Sequence, residues 1–222
     1  MKILCLYNND CALELFEWIE KQGNQVVLWK DRLGADWCRQ QDFALAVSYT
    51  YRYILTEEVL AALKYNAVNI HNSFLPWNRG ADPNIWSIID RTPRGVTLHY
   101  MENGLDKGEI IAQQIVNDGD EETLASSYRN LDVAAKQMFR DVFRYYPLWQ
   151  SMRKVPKGKG SYHSTADGRC VKSLIKSYAM TAREFQDRYD EMIDAREISG
   201  GGYERNGKYS DECSWRKRGC AA

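Results

Sequence analysis

The amino-acid sequence predicts an open α/β sheet wound by right-handed crossovers, and three features of its first half predict it. Apolar runs of strand length alternate with segments whose apolar residues recur at helical spacing. Several of those runs are nearly continuous, as strands buried on both faces are. Strand and helix signals follow one another in turn, the pattern of a parallel sheet joined by helices.

Lys2 to Tyr7 (KILCLY) is the first such run, and Cys11 to Lys21 then sets Leu13, Phe16, Trp18 and Ile19 at helical spacing. After a turn at Gly23 and Asn24, Gln25 to Trp29 (QVVLW) reads as the second strand and Phe43 to Tyr49 (FALAVSY) as the third. Thr56 with Glu57 and Glu58 opens a helix that continues to Leu63, with threonine as its cap and acids in its first turn. Ala67 to His71 (AVNIH) is a fourth strand. Ser73 to Pro83 (SFLPWNRGADP) is loop, and a short helix follows over Asn84 to Ile89. Gly95 to Met101 (GVTLHYM) alternates as a half-exposed strand does, and Glu109 to Val116 (EIIAQQIV) is another strand after a turn at Gly104 to Gly108. Glu121 to Tyr146 reads as a long amphipathic helix. Lys154 to Gly160 reads as a flexible crossing, Thr181 to Ala195 as a helix, and Ser199 to Gly202 as a break. On this pattern a core domain spans residues 1–150, and residues 151–222 form a C-terminal extension with one or two helices and a flexible tail.

Composition narrows the function classes. Hydrophobic residues make up 44% of the 222, enough for a real core. Lys+Arg and Asp+Glu balance at 30 each, so no global positive field grips nucleic acid. The first apolar run is too short for a secretory signal, and no run approaches the ~20 residues of a membrane span. Six cysteines without a CxxC pair predict free thiols in a reducing cytoplasm and no metal framework.

Chemistry concentrates in two places. Asn69 and His71, two apart on the fourth strand, share a face at its C-terminal end, where open α/β sheets bind ligands. An amide donor beside an imidazole suits a reaction that develops an oxyanion and moves a proton. Asp106, in a glycine-flanked turn, is placed to orient that imidazole. Taken alone, each also reads as structure: a backbone-bonded amide with a satisfied core histidine, and an ordinary turn former.

Together the pieces resemble a known family. VNIHNSFLPWNRGADPNIWSIID followed by GVTLHYMENGLDKGEIIAQQ is similar to the signature of the 10-formyltetrahydrofolate-dependent formyltransferases: an Asn-x-His element, a Pro-containing loop with Arg-Gly, and a downstream Asp-x-Gly turn. The resemblance is carried by residues 43–145 and, over residues 1–42, by the strand–helix rhythm alone. It implies a Rossmann-like sheet, 10-formyltetrahydrofolate as formyl donor and no metal. Asn69 would bond the formyl oxygen, His71 would move the proton, and Asp106 would support His71. Tyr51, Tyr53, Ile54 and Leu55 would line the pterin pocket through backbone groups, with Glu102 and Asn103 on its other wall. Two positions depart from relatives: Asn72 where proline is usual, and Phe74 for leucine.

Among acceptors, the resemblance favours the short enzymes that formylate nucleotide-linked amino sugars for surface glycans, with the closely similar formylation domains of peptide synthetases beside them. Zero net charge speaks against tRNA, and Tyr7 to Asp10 has no glycine-rich phosphate loop after the first strand. Trp77 and Arg79 are candidates to stack a base and meet a diphosphate. The tail residues Tyr203, Arg205, Trp215, Arg216, Lys217 and Arg218 read as solvated. The alternatives are a formyltransferase for an amino acid or carrier-bound aminoacyl group, and a non-catalytic folate-binding protein. A homodimer is compatible with the sequence.

Overall fold

Four five-residue strands, β1 (Lys2–Leu6), β2 (Gln25–Trp29), β3 (Leu45–Tyr49) and β4 (Ala67–His71), lie parallel in the computed structural model, which describes residues 1–117, 119 and 121–198. Two further strands, β6 (Gly95–Tyr100) and β7 (Ile110–Ile115), run antiparallel, giving the order β2-β1-β3-β4-β6-β7. Parallel neighbours need crossovers, supplied by α1 (Leu13–Lys21), α2 (Ala35–Gln41) and α3 (Glu57–Ala62). The sheet grows to one side of β1 through β2 and to the other through β3, so the switch point lies between β1 and β3.

Strand parity sorts the two faces. Ile3, Cys5, Leu45, Val47, Val68, Ile70, Val96 and Leu98 pack with Leu15, Phe16 and Ile19 of α1 and with Leu131, Ala135 and Phe139 of α5 (Leu124–Phe143). A polar bond ties α5 down as well: the Tyr49 hydroxyl donates to Asp132 at 2.7 Å, and buried Lys136 pairs with Asp132 at 2.6 Å and Glu14 at 3.0 Å. On the other face Leu4, Leu6, Ala46 and Ala67 meet Cys38 of α2 and Val59 and Leu60 of α3. Farther along that second face β4 carries Asn69 and His71, and β6 carries Thr97 and His99. Loops roof them. Thr97 is bonded by Leu75 N and bonds Ser73 O, and His71 meets Asn78 O.

A third apolar cluster joins α4 (Pro83–Ile89) to the later chain. Ile85, Trp86, Ile88 and Ile89 pack with Val171 of α7 (Thr165–Lys172) and Phe185 and Tyr189 of α8 (Ala182–Ile198). Beside it β5 (Arg79–Gly80) pairs in parallel with β8 (Tyr162–His163), while α6 (Trp149–Met152) buries Trp149 against α5.

All six strands of the main sheet fall within the stretches expected from sequence. Helix α2 was not expected. Neither were β5 and β8, which are two residues each and carry no periodic signal. The expected half-exposed strand over Gly95 to Met101 is wrong: all six residues of β6 are buried. Its apparent polar side, Thr97 and His99, faces the loop roof rather than water. Thr56 stands at the N-cap of α3 in extended conformation but makes no capping side-chain bond. The expected flexible crossing is anchored at its start, where Lys154 exchanges both backbone bonds with Ile110. Cys5, Cys11 and Cys38 are free thiols, whereas Cys213, Cys220, the break at 199–202 and the tail aromatics and cations lie outside the described residues. No helix among the described residues is long and apolar enough to cross a membrane.

Candidate active site

Asn69, His71 and Asp106, named from sequence, meet at one place. Asn69 and His71 project from the same face of β4, and the antiparallel register sets His99 of β6 directly opposite Asn69. The loop after β6 folds back so that Asp106, held in left-handed conformation with φ 51°, turns its carboxylate onto all three. Asn69 Nδ2 donates to Asp106 Oδ1 at 3.4 Å and also lies 3.4 Å from His99 Nε2. Asp106 Oδ1 is 3.5 Å from His99 Nε2, and its Oδ2 is 3.7 Å from His71 Nε2, an ion-pair separation rather than a hydrogen bond. The backbone N–H of Gly80 donates to Asp106 Oδ2 at 2.9 Å.

Electrostatics follow from this geometry. Burial works against ionising Asp106, but the positive charge of His71, the hydrogen bond and charge of His99 and the Gly80 N–H outweigh it. The carboxyl is held well below the usual carboxylate range. His71 Nε2 lies 3.1 Å from the carbonyl oxygen of Asn78, so that nitrogen carries a proton and the neutral ring keeps its lone pair on Nδ1. His99 Nδ1 lies 2.9 Å from the Tyr100 carbonyl, which assigns its proton to Nδ1 and leaves Nε2 as acceptor in the neutral ring. The site thus combines an amide donor, an imidazole with a free lone pair and a fixed anion. A carbonyl oxygen gaining charge and an amine losing a proton are what such a set can serve.

His99 was missed from sequence. Half of its signal was available, since on a strand read as GVTLHYM residues 97 and 99 share a face; that this face lies beside Asn69 follows from the pairing of β6 with β4, which the long connection through β5 and α4 does not announce.

The remaining candidates divide. Tyr51 and Leu55 pack on the same apolar cluster as Met101, so the loops after β3 and β6 share a base. Leu55 is buried there while Ile54 is 61% exposed, and Glu102 and Asn103 are exposed. The Tyr51 hydroxyl donates to Asp31 O, its ring meets Tyr53 edge-on at 5.3 Å, and Arg32 and Arg52 lie over Tyr53 at 4.8 and 4.9 Å. Trp77 and Arg79 flank Asn78. Trp77 is 37% exposed, but Arg79 Nε is engaged with Ser161 O at 3.3 Å, so this guanidinium is partly committed within the fold. Among the described residues no cluster of three or more His, Cys, Asp or Glu has metal-holding geometry.

Comparison with known proteins places this geometry in context. Residues 32–143 match the family model described as formyl transferase. A stretch of 97 residues is 38% identical to a methionyl-tRNA formyltransferase of Alkaliphilus oremlandii, covering 43% of this chain and 31% of that relative. The chain thus matches about a third of that curated relative's length. The crystal structure of the formyltransferase PseJ from Anoxybacillus kamchatkensis, in complex with UDP-4,6-dideoxy-4-formamido-L-AltNAc and tetrahydrofolate, superposes with TM-score 0.74 at 32% identity. That match covers 83% of this chain and 97% of PseJ. A 4-N formyltransferase from Francisella tularensis shares the fold, with TM-score 0.69 at 20% identity over 83% of this chain and 85% of its own.

Proposed function

The chain belongs to the formyl transferase family, and on that premise we propose that it is an N-formyltransferase that moves the formyl group of 10-formyltetrahydrofolate onto the amine of a nucleotide-linked amino sugar. The observation that carries this reading is the convergence of Asn69, His71 and Asp106 on one face of the sheet, under a loop roof.

The chain's own residues suit the donor. A flat pterin needs an apolar wall with backbone donors and acceptors at its edge, and the loop after β3 offers exposed Ile54 next to buried Leu55, which shares one apolar cluster with Met101. The donor supplies an activated formyl carbon whose departing nitrogen becomes that of tetrahydrofolate. Asn69 Nδ2 is the donor for the formyl oxygen as it gains negative charge. His71 Nδ1 accepts the proton that the acceptor amine loses as its nitrogen bonds the formyl carbon, and returns one to the departing folate nitrogen. Asp106 keeps the imidazolium favourable and oriented during that interval. The balance closes on a formamide and tetrahydrofolate.

The acceptor class rests on likeness to PseJ, whose structure holds a UDP-linked formamido sugar. Trp77, open to solvent beside Asn78, remains the proposed stacking residue, and Arg79 is the weaker nominee for the diphosphate because Ser161 engages it. The free thiols of Cys5, Cys11 and Cys38 accord with a reducing compartment, and we assign the enzyme to the cytoplasm. Methionyl-tRNA is a less favoured acceptor because a neutral chain has little to offer a polyanion.

The test is to incubate the chain with 10-formyltetrahydrofolate and, separately, UDP- and dTDP-linked amino sugars, free amino acids and charged tRNA. Mass spectrometry is expected to find one added CO on a nucleotide sugar. Formylation of amino acids or tRNA alone would replace the acceptor assignment, and no formylation of any amine would remove the transferase reading.

A further inference from the structure

Two contacts steady the catalytic side chains from above, and both come from residues 72–82, a segment with little regular structure of its own. The Asn78 carbonyl meets His71 Nε2 at 3.1 Å, and the Gly80 N–H meets Asp106 Oδ2 at 2.9 Å. What fixes this loop is a strip of chain some 83 residues later. Ser161 N donates to Pro76 O at 3.2 Å, Arg79 N donates to Ser161 O at 3.1 Å, and Ala81 N donates to His163 O at 2.9 Å. The two strips touch backbone to backbone. A Cβ on Gly80 would run into the His163 carbonyl, and one on Gly160 into the Pro76 carbonyl.

Within that seam the Ser161 hydroxyl makes two bonds to one residue. It accepts from Asn78 N at 2.8 Å and donates to Asn78 Oδ1 at 3.0 Å, while Asn78 Nδ2 donates to Thr92 Oγ1 at 2.7 Å. Asn78 is fully buried and left-handed, with φ 52°. Its N–H and both side-chain polar atoms are thereby fixed, and its carbonyl is aimed at His71.

We infer that Ser161 is a positioning residue: through Asn78 it orients the carbonyl that holds the proton of His71 on Nε2 and so presents Nδ1 to the reacting amine. Ser161 lies beyond the matched family residues 32–143. The relay of bonds stands on the geometry alone; the step it serves rests on the formyl-transfer reading above. Among the described residues the titratable groups that face the imidazole are Asp106 at 3.7 Å and, edge-on from β6, His99 with ring centroids 6.3 Å apart.

Ser161→Ala separates positioning from mere structure. Steady-state kinetics are expected to give a kcat lower by about ten- to a hundredfold with KM for both substrates nearly unchanged, as small displacements of catalytic groups do. Proton NMR of the imidazoles reads the relay directly, because the chain has only three histidines to assign. Losing an oriented acceptor at Nε2 releases the tautomer, so in long-range proton–nitrogen spectra the His71 pattern is expected to move from the Nε2–H form towards a mixture of the two tautomers. Ser161→Thr, which keeps the hydroxyl, is expected to restore both. If Ser161→Ala does not fold, Ser161→Cys, with a much weaker hydrogen-bonding atom of similar size, is read in the same way. Wild-type kcat, a loss confined to KM, or an unchanged His71 tautomer pattern in the folded variant overturns the inference. A wild-type chain that transfers no formyl group refutes the functional reading instead, and the His71 tautomer pattern still decides the relay.

Discussion

At the scale of single residues, Asp106 is the hinge of the site. It accepts from Gly80, receives Asn69 and balances two imidazoles, all from a left-handed turn position. Asp106→Asn keeps the shape and removes the charge, so the chain is expected to fold while turnover falls by about 10²–10³-fold, the loss typical of a missing electrostatic partner. The same carboxylate gives a pH signature. Its native pKa is depressed, so its contribution to stability is complete above the unfolded value of roughly 3.9 and is lost as pH falls through the acid range towards the native value. Urea midpoints of the wild type are therefore expected to drop more steeply than those of Asp106→Asn as the pH is lowered from about 5 to 3; parallel curves would contradict the assigned charge balance. The three residues named from sequence stand together because a motif fixed their order. His99 needed the strand pairing, which a single strand's pattern does not carry.

The elements explain why a polar site sits on an otherwise apolar sheet. α2 and α3 cover the second face only as far as Ala67, and beyond it the β5 loop and the turn before β7 take their place. A loop roof needs pinning, and the β5–β8 pair provides it at two residues each. Gly80 is one of two places where the strips touch, with φ 92° and the His163 carbonyl in the space a side chain needs. Gly23 shares a positive φ of 82° but faces open space. In denaturant melts, Gly23→Ala is expected to cost about 1 kcal/mol and Gly80→Ala clearly more, on the order of 3 kcal/mol, with activity lost alongside. Equal costs would mean that the seam yields freely. β1 and β3 were legible because burial on both faces writes itself as continuous apolar runs. β5 and β8 were not, since two residues have no period, and the full burial of β6 was hidden because its polar side is covered by loops rather than by apolar partners.

Among the described residues three apolar clusters hold the molecule, and the third reaches from α4 to α8. Sequence patterning led to the expectation of a domain over residues 1–150 with an extension after it. In the structure the described part of that later segment pairs with β5 and buries Phe185 completely against α4. Phe185→Ala is expected to lower stability by about 3–5 kcal/mol, the usual cost of emptying a buried aromatic site, seen as a lower melting temperature of the entire chain. A separate early transition that leaves the main sheet intact would show the later segment to be an independent unit. Amplification of effect through shared geometry also marks the chemistry. Residues that act as one device lose activity non-additively, so the most direct test is a single-turnover comparison of His71→Gln, Asp106→Asn and their double variant on a formylated nucleotide-sugar product. Each single change is expected to slow formyl transfer by about 10² or more, and the double variant to be no slower than the worse single one. Independent, multiplying losses, or a transfer rate untouched by either change, would mean that the imidazole and the carboxylate do not work on the formyl carbon together.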